Sequence, residues 1–454
     1  MTFQAPIAAL ASGAEPSAIA IVRLSGLGCF DLIKKALKPK FKSQTFESFL
    51  DRRMHLCDFV SADQKTVIDE PMVAFFQGPK SFTGEDSVEI YCHGSPYVVK
   101  TILKELYSIG FREAEPGEFT KRAFLNGKLD LTAAEGIKEL VEAQSHQQWV
   151  AARQLATGTL KDSINYLRKQ TIEAMAYLEA QIDFPDEGDT AHVKVKDVEI
   201  RIEKVQAEIL RLIDTYESGK VATHGLRLVL MGAPNAGKST LMNTLLRKER
   251  AIVTNIPGTT RDFIEEPCLL KGRLIQVIDV AGIRDTSEEV EAIGVQMAKD
   301  LAKKADIVAF LASADGDSSE AAEKWLDAQV PGKCLKILTK SDLNDNATKD
   351  GWLSISCKTN HNLDRLTTHL VDFVDQHIFK IKEDSFITSA RHAEALRSAQ
   401  ESLQNFYSAL EDGLGEELLA FELQNVNRAL KSIIGEVDSE DILDKIFSTF
   451  CVGK

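Results

Sequence analysis

The run Gly232-Ala-Pro-Asn-Ala-Gly237-Lys238-Ser239 sets two glycines ahead of a lysine and a hydroxyl. Glycines at that spacing let backbone N–H groups converge on phosphate oxygens, and a helix starting at the lysine adds its favourable dipole. Lys238 then reaches the β- and γ-phosphates, the Ser239 hydroxyl binds Mg²⁺, and Asn235, Ala236, Gly237 and Thr240 complete the cradle. A loop further on, Thr254-Asn255-Ile256-Pro257-Gly258-Thr259-Thr260, offers Thr260 as a second Mg²⁺ ligand that senses the γ-phosphate. Asp279-Val280-Ala281-Gly282 supplies a carboxylate that holds the metal through water and a glycine N–H for the γ-phosphate.

The base is read elsewhere. In Thr339-Lys340-Ser341-Asp342 the Asp342 carboxylate accepts from guanine's ring N–H and its exocyclic amine, a pattern adenine does not present. Most GTPases carry Asn where Thr339 stands, so base affinity is expected to be weakened. Ser356-Cys357-Lys358 would close over the base. Each motif alone is unremarkable; five in this order describe a guanine-nucleotide site whose chemistry is GTP hydrolysis. The Gln that Ras-like enzymes use to position water is absent, since Ile283 follows Gly282. Catalysis must be arranged differently.

These motifs need a wound parallel sheet behind them. LRLVLM, LIQVID, IVAFLA and LKILT read as its strands, alternating with helices between residues 226 and about 377. Residues 1 to about 120 carry short strand-like runs, AIAIVRL (18–24) and SVEIYC (87–92), between Gly/Pro/Ser loops. Two helical stretches flank the α/β segment. Val198, Ile202, Val205, Ile209 and Leu212 mark one apolar face, and Leu396, Ala399, Leu403, Phe406 and Leu410 another. Packing the two against each other makes the α/β segment an insertion; two separate helical modules are the alternative.

The chain has 454 residues, 44% hydrophobic and 27% charged, which suits about three domains. No apolar run approaches the about 18–20 residues of a membrane span. Nor is there a basic region ahead of the first apolar stretch, as a signal peptide requires. Seven scattered cysteines without metal-type spacing fit reduced thiols in a cytoplasm. The net charge of −14 opposes non-specific nucleic-acid binding. The lysines at 34, 35, 38, 40 and 42 with Arg52 and Arg53 are one basic patch, though a solvated loop explains them as well.

Four further segments carry a resemblance across essentially the whole chain: PGEFTKRAFLNGKLDLTAAEG (116–136), FTGEDSVEIYCHG (82–94), IDFPDE (182–187) and FCVGK (450–454). With the nucleotide motifs they resemble the MnmE (TrmE) family, bacterial and organellar tRNA-modification GTPases. The resemblance implies a multidomain α/β and α+β fold. Residues 1–121 would form an α+β domain that binds tetrahydrofolate and dimerises, 122–223 and 379–454 one helical domain, and 224–378 an inserted Ras-like P-loop G domain.

It also implies a function and partners. The expected activity is addition of an aminomethyl-type group to C5 of the wobble uridine of certain tRNAs. The one-carbon unit would come from a 5-formyl or 5,10-methylene tetrahydrofolate. A flavoprotein partner, MnmG, would carry the FAD, in a heterotetramer. By the same resemblance Arg23, Glu89, Lys128 and Lys454 contact the folate; K⁺ is held by Asn235, Thr254, Ile256 and Thr259; and Glu291 orients the attacking water as two G domains close on each other. Simpler readings stand beside these. Glu89 also reads as a solvent-facing strand carboxylate, Arg23 and Lys128 as surface cations, and Glu291 as an acid in a helix that Thr286 and Glu289 cap. Cys451 lacks an activating base nearby in sequence, and it and His93 read as structural.

Two other functions compete. A ribosome-assembly GTPase would carry an RNA module after the G domain, where this chain has acidic amphipathic helices and no KH-type GxxG loop. An independent folate-dependent aminomethyltransferase regulated by GTP would need no flavoprotein.

Overall fold

The computed structural model describes residues 5–41, 45–49, 51–183, 195–248, 264–279, 288–314, 320–343, 349–378, 385–436 and 440–453. They divide into two compact units, residues 1–134 with 434–454, and residues 135–433.

The first unit is built on one mixed sheet. Its strands are β1 (Ile7–Leu10), β2 (Ser17–Ser25), β3 (Leu37–Pro39), β4 (Met54–Val60), β5 (Val67–Asp69), β6 (Met72–Phe76), β7 (Ser87–Gly94) and β8 (Arg112–Glu113). They run in the order β3-β4-β6-β7-β2-β1-β8, with β5 pairing on β4. Alternation along β7 decides its two faces: Val88, Ile90 and Cys92 are buried while Glu89, Tyr91 and His93 point the other way. β2 answers with Val22 and Leu24 in the core, so the antiparallel register sets Arg23 directly opposite Glu89 on the non-core face. Helix Pro96–Ser108 covers the core face through Val99, Ile102 and Leu106, its proline sitting where a missing N–H costs nothing.

The end of the chain completes this unit. Helix Glu440–Phe447 and Phe450 pack with Leu131 and Ala134. The Gly117 N–H donates to the Cys451 carbonyl at 3.3 Å.

In the second unit Val198, Ile202, Val205, Ile209 and Leu212 line one side of helix Val195–Asp214 and are all buried. Helix Ala390–Glu411 buries Leu396, Ala399, Leu403 and Phe406. Its stripe then drifts, and Ala409 rather than Leu410 takes the next buried place, because four steps of 100° overshoot a full turn. Residues from before and after the α/β segment meet directly. Ser163 and Ser385 hydroxyls pair at 2.5 Å, and Arg168 Nε donates to Asn427 Oδ1 at 3.3 Å. Arg211 Nη2 donates to the Ser385 carbonyl at 3.1 Å. The α/β segment is therefore an insertion into one helical body.

That segment holds β9 (Leu226–Gly232), β10 (Ile264–Leu270), β11 (Arg273–Asp279), β12 (Ile307–Ser313), β13 (Cys334–Thr339) and β14 (Leu353–Ser354). The order is β10-β11-β9-β12-β13-β14, parallel except for β10 on β11. All four expected strands form here. Near-continuous burial of β9 and β12 is what a sheet covered on both faces demands. Among the described residues no helix is long and apolar enough to cross a membrane.

Candidate functional site

The parallel strands end at one edge of the sheet, and the nucleotide motifs stand there. Gly232 closes β9, Asp279 closes β11 and Thr339 closes β13, the carboxyl edge where such sheets take ligands. Register sets the spacing: Asp279 pairs with Leu230, Leu311 with Gly232, and Ser313 with Thr339.

Gly232 has φ 147°, and a Cβ there would lie 2.1 Å from the Leu311 carbonyl oxygen, so only glycine fits. Asn235 takes up the left-handed region at φ 64°. Lys238, 9% exposed, turns back to donate to the Gly232 carbonyl at 2.8 Å and the Ala233 carbonyl at 2.9 Å. Burial pushes its ammonium below the usual lysine range, and Asp279 acts the other way. A cation held over a loop of backbone N–H groups is arranged to receive phosphate.

Ser239 opens helix Lys238–Lys248 and donates to Asp279 Oδ2 at 2.8 Å. Asp279 is 2% exposed. A hydroxyl and a buried carboxylate beside the phosphate cradle are hard oxygen donors, and they fit Mg²⁺.

The base-reading side is equally tied. Ser356, buried, donates to Asp342 Oδ1 at 2.6 Å, which first, with Lys358 also contributing, holds Asp342 below the usual carboxylate range. Lys340 sits at φ 57°. Thr339 is 2% exposed, and its hydroxyl contacts the Ala236 carbonyl of the phosphate loop at 2.7 Å and the Ala312 carbonyl at 3.1 Å. Burial pushes the Cys357 thiol up.

Several expected positions fall outside the described residues: Thr254, Asn255, Ile256, Pro257, Gly258, Thr259, Thr260, Val280, Ala281, Gly282, Ile283, Thr286 and Lys454. Helix Glu288–Lys304 carries Glu291 in its first turn, but the side chains of Glu289 and Glu291 are outside the description. The same holds for residues 184–187 of the IDFPDE run and for Lys42.

A second cluster lies in the first unit. Arg23 Nε donates to Glu89 Oε1 at 3.0 Å, and the Tyr91 hydroxyl donates to Glu89 Oε2 at 2.6 Å. The Arg23 guanidinium also lies 5.7 Å from the Phe82 ring centre and 5.9 Å from that of Phe119. Its Nη1 contacts the Gly453 carbonyl at 3.4 Å. Gly453 has φ 91° and stands so close to the Leu10 carbonyl that a Cβ would lie at 2.1 Å.

Glu89 is thus a half-buried carboxylate held on both oxygens, with lone pairs left to accept from a ligand. Lys128 belongs to a different contact: its ammonium donates to the Pro79 carbonyl at 2.9 Å and its stem packs under Gly84. Arg122, fully buried, ties Glu85 Oε2 at 3.1 Å to Glu118 Oε1 at 2.8 Å and so anchors the loop that carries Phe82. Sequence reasoning passed over Tyr91, Phe82 and Arg122. Period-two spacing from Glu89 could have found Tyr91; nothing local marks the others.

His93 pairs with Asp69 at 2.6 Å on the exposed face of β7. Cys451 is exposed, and all seven cysteines are free thiols.

Residues 6–128 match the family model described as the N-terminus of the GTP-binding protein TrmE, and residues 131–451 that of the MnmE helical domain. Curated proteins named tRNA modification GTPase MnmE align along almost their whole length. That of Natranaerobius thermophilus is 38% identical over 460 residues, 99% of both chains. That of Thermotoga maritima is 36% identical over 459 residues, and that of Aquifex aeolicus 37% over 457, each again 99% of both chains.

Proposed function

The chain belongs to the MnmE family of tRNA modification GTPases, and from that premise we propose that its GTP hydrolysis serves the addition of an aminomethyl-type group to C5 of a wobble uridine. It is a GTPase acting in tRNA modification; the identity of the group, the one-carbon donor and the partner belong to the proposal. The observation that carries it is the pair of reading carboxylates, Asp342 held by Ser356 in the α/β segment and Glu89 held by Arg23 and Tyr91 in the first unit. Guanine and a pterin both offer an adjacent N–H pair, and each carboxylate is preorganised to accept one.

In the nucleotide site Lys238 binds the β- and γ-phosphates, and the loop Asn235–Thr240 encloses them. Ser239 and Thr260 hold Mg²⁺ with Asp279 behind it, and Asn235, Thr254, Ile256 and Thr259 hold K⁺. These cations, when bound, offset the negative charge that develops on the transferred phosphoryl group. Asp342 selects guanine, Ser356, Cys357 and Lys358 close over it, and Glu291 orients the attacking water. In the first unit Arg23, Glu89, Lys128 and Lys454 hold a tetrahydrofolate derivative. The domains proposed are 1–121, 122–223 with 379–454, and 224–378 between them, with residues 122–134 and 434–454 of the helical domain falling in the first compact unit. The protein works in the cytoplasm as a homodimer with an MnmG-type flavoprotein.

Mass spectrometry of wobble nucleosides from cells lacking this chain tests the reading. Loss of a C5-aminomethyl-type uridine, restored by the wild-type gene, is expected. An unchanged nucleoside profile would overturn it.

A further inference from the structure

The contacts of Thr339 separate two tasks that a single carboxamide could combine. A hydroxyl has one proton to donate. Here it lies between the carbonyls of Ala236 at 2.7 Å and Ala312 at 3.1 Å, in a position 2% exposed. The first carbonyl belongs to the phosphate loop and the second to β12, so the side chain ties the loop to the sheet. Its own carbonyl accepts from the Ala314 N–H at 2.9 Å, which fixes the end of β13 as well.

Thr339 therefore has no donor left for a ligand. Asp342 stands three residues further, in the turn Ser341–Leu343, with its carboxylate braced by Ser356. A guanine whose ring N–H and exocyclic amine meet Asp342 turns its opposite edge, with the acceptors N7 and O6, back toward the strand end and the phosphate loop. A carboxamide at position 339 could keep one contact to the loop and still offer an N–H to that edge. A threonine with its proton engaged cannot.

We infer that this chain reads guanine through the Asp342 side alone, and that Thr339 is a positioning residue for the phosphate loop that leaves the base's N7 edge without a partner. The inference rests on the guanine-nucleotide reading and deepens it.

The test measures displacement of a fluorescent guanine nucleotide from the full chain by GTP, 7-deaza-GTP and inosine triphosphate. Wild type should bind 7-deaza-GTP within about threefold of GTP, because losing N7 removes no hydrogen bond. Thr339→Asn, nearly the same in volume, should gain about two- to tenfold for GTP and nothing for 7-deaza-GTP, the range of one neutral hydrogen bond. Thr339→Val should weaken GTP and 7-deaza-GTP by the same factor, and Thr339→Ser should restore both. A tenfold or greater loss on 7-deaza-GTP in wild type would overturn the inference, as would a Thr339→Asn variant that treats the two nucleotides alike. Unchanged binding in Thr339→Val would remove the loop-positioning role. Inosine triphosphate, which lacks the exocyclic amine, separates this from failure of the guanine reading: wild type must still prefer GTP over it.

Discussion

Two carboxylates here are held in place before any ligand arrives, and that decides what their replacement should do. Glu89 has both oxygens engaged, one by Arg23 and the other by Tyr91. Burial, and then the bond to Glu89, push the Tyr91 phenol up to about 12, so it stays a donor across the physiological range. Glu89→Ala should therefore lower tetrahydrofolate affinity by roughly 10- to 100-fold, the size of a charge-assisted hydrogen bond, with GTP turnover nearly intact. Calorimetric titration with 5-formyl-tetrahydrofolate is the measurement, and unchanged affinity removes Glu89 from the site. At this scale legibility followed chain distance. Asp342, Lys238 and Ser239 were readable because their motifs are local. The Gly453 carbonyl on Arg23 was not, because 430 residues separate them.

Between elements, the packing of helix Leu131–Glu142 on residues 388–392 contains a group that prefers to be neutral. Among the described residues Glu139 Oε2 is buried without a hydrogen-bond partner, and the Thr388 hydroxyl donates to Oε1 at 3.3 Å. Burial, then repulsion from Glu135 and Glu142, outweighs Thr388 and Lys138 and raises its carboxyl to about 7. Glu135 goes the other way, to about 2. Burial would raise it, but His392 and Arg391 more than offset that. A carboxyl with a raised folded-state pKa contributes stability that is complete below its unfolded value and is lost as pH rises through the folded one.

Glu139 thus favours the folded state near pH 4.5 and loses that contribution between there and about pH 7, while Glu135 stabilises above its unfolded value. Glu139→Gln should be more stable than wild type at pH 8 by about 1–3 kcal/mol and nearly equal to it at pH 4.5. Denaturant titrations at the two pH values decide it, and a pH-independent difference would contradict the assignment. Helix stripes gave the elements themselves away, since period and burial agree along Val195–Asp214. The Glu139 environment was hidden, because it arises where a helix meets a connecting segment that has no periodicity of its own.

For the molecule as a whole, the proposed function has hydrolysis without a water-positioning Gln draw on Glu291 and on closure of two α/β segments around a monovalent cation. GTP turnover per chain should rise with protein concentration and fall strongly when Na⁺ replaces K⁺. Glu291→Ala should lose about 10²–10⁴-fold in kcat while still binding GTP. Equal rates in Na⁺ and K⁺, or a near-normal kcat in the variant, would each sink its half of the proposal. The insertion of the α/β segment was legible from two apolar helical faces that had to cover each other. The joining of residues 434–454 to the first unit was legible only through the resemblance that set Lys454 with Arg23 and Glu89, because a helix of eight residues and a short tail carry no address of their own.

That joining has a consequence in time. On the ribosome, residues 1–134 emerge first, yet the helix Glu440–Phe447 and the Gly453 carbonyl that complete their core and their Arg23 cluster are made some three hundred residues later. The strands and loops of the nucleotide site are translated entirely within that interval. A nascent chain that stalls late therefore carries every strand of the nucleotide sheet and a first unit still waiting for its last piece.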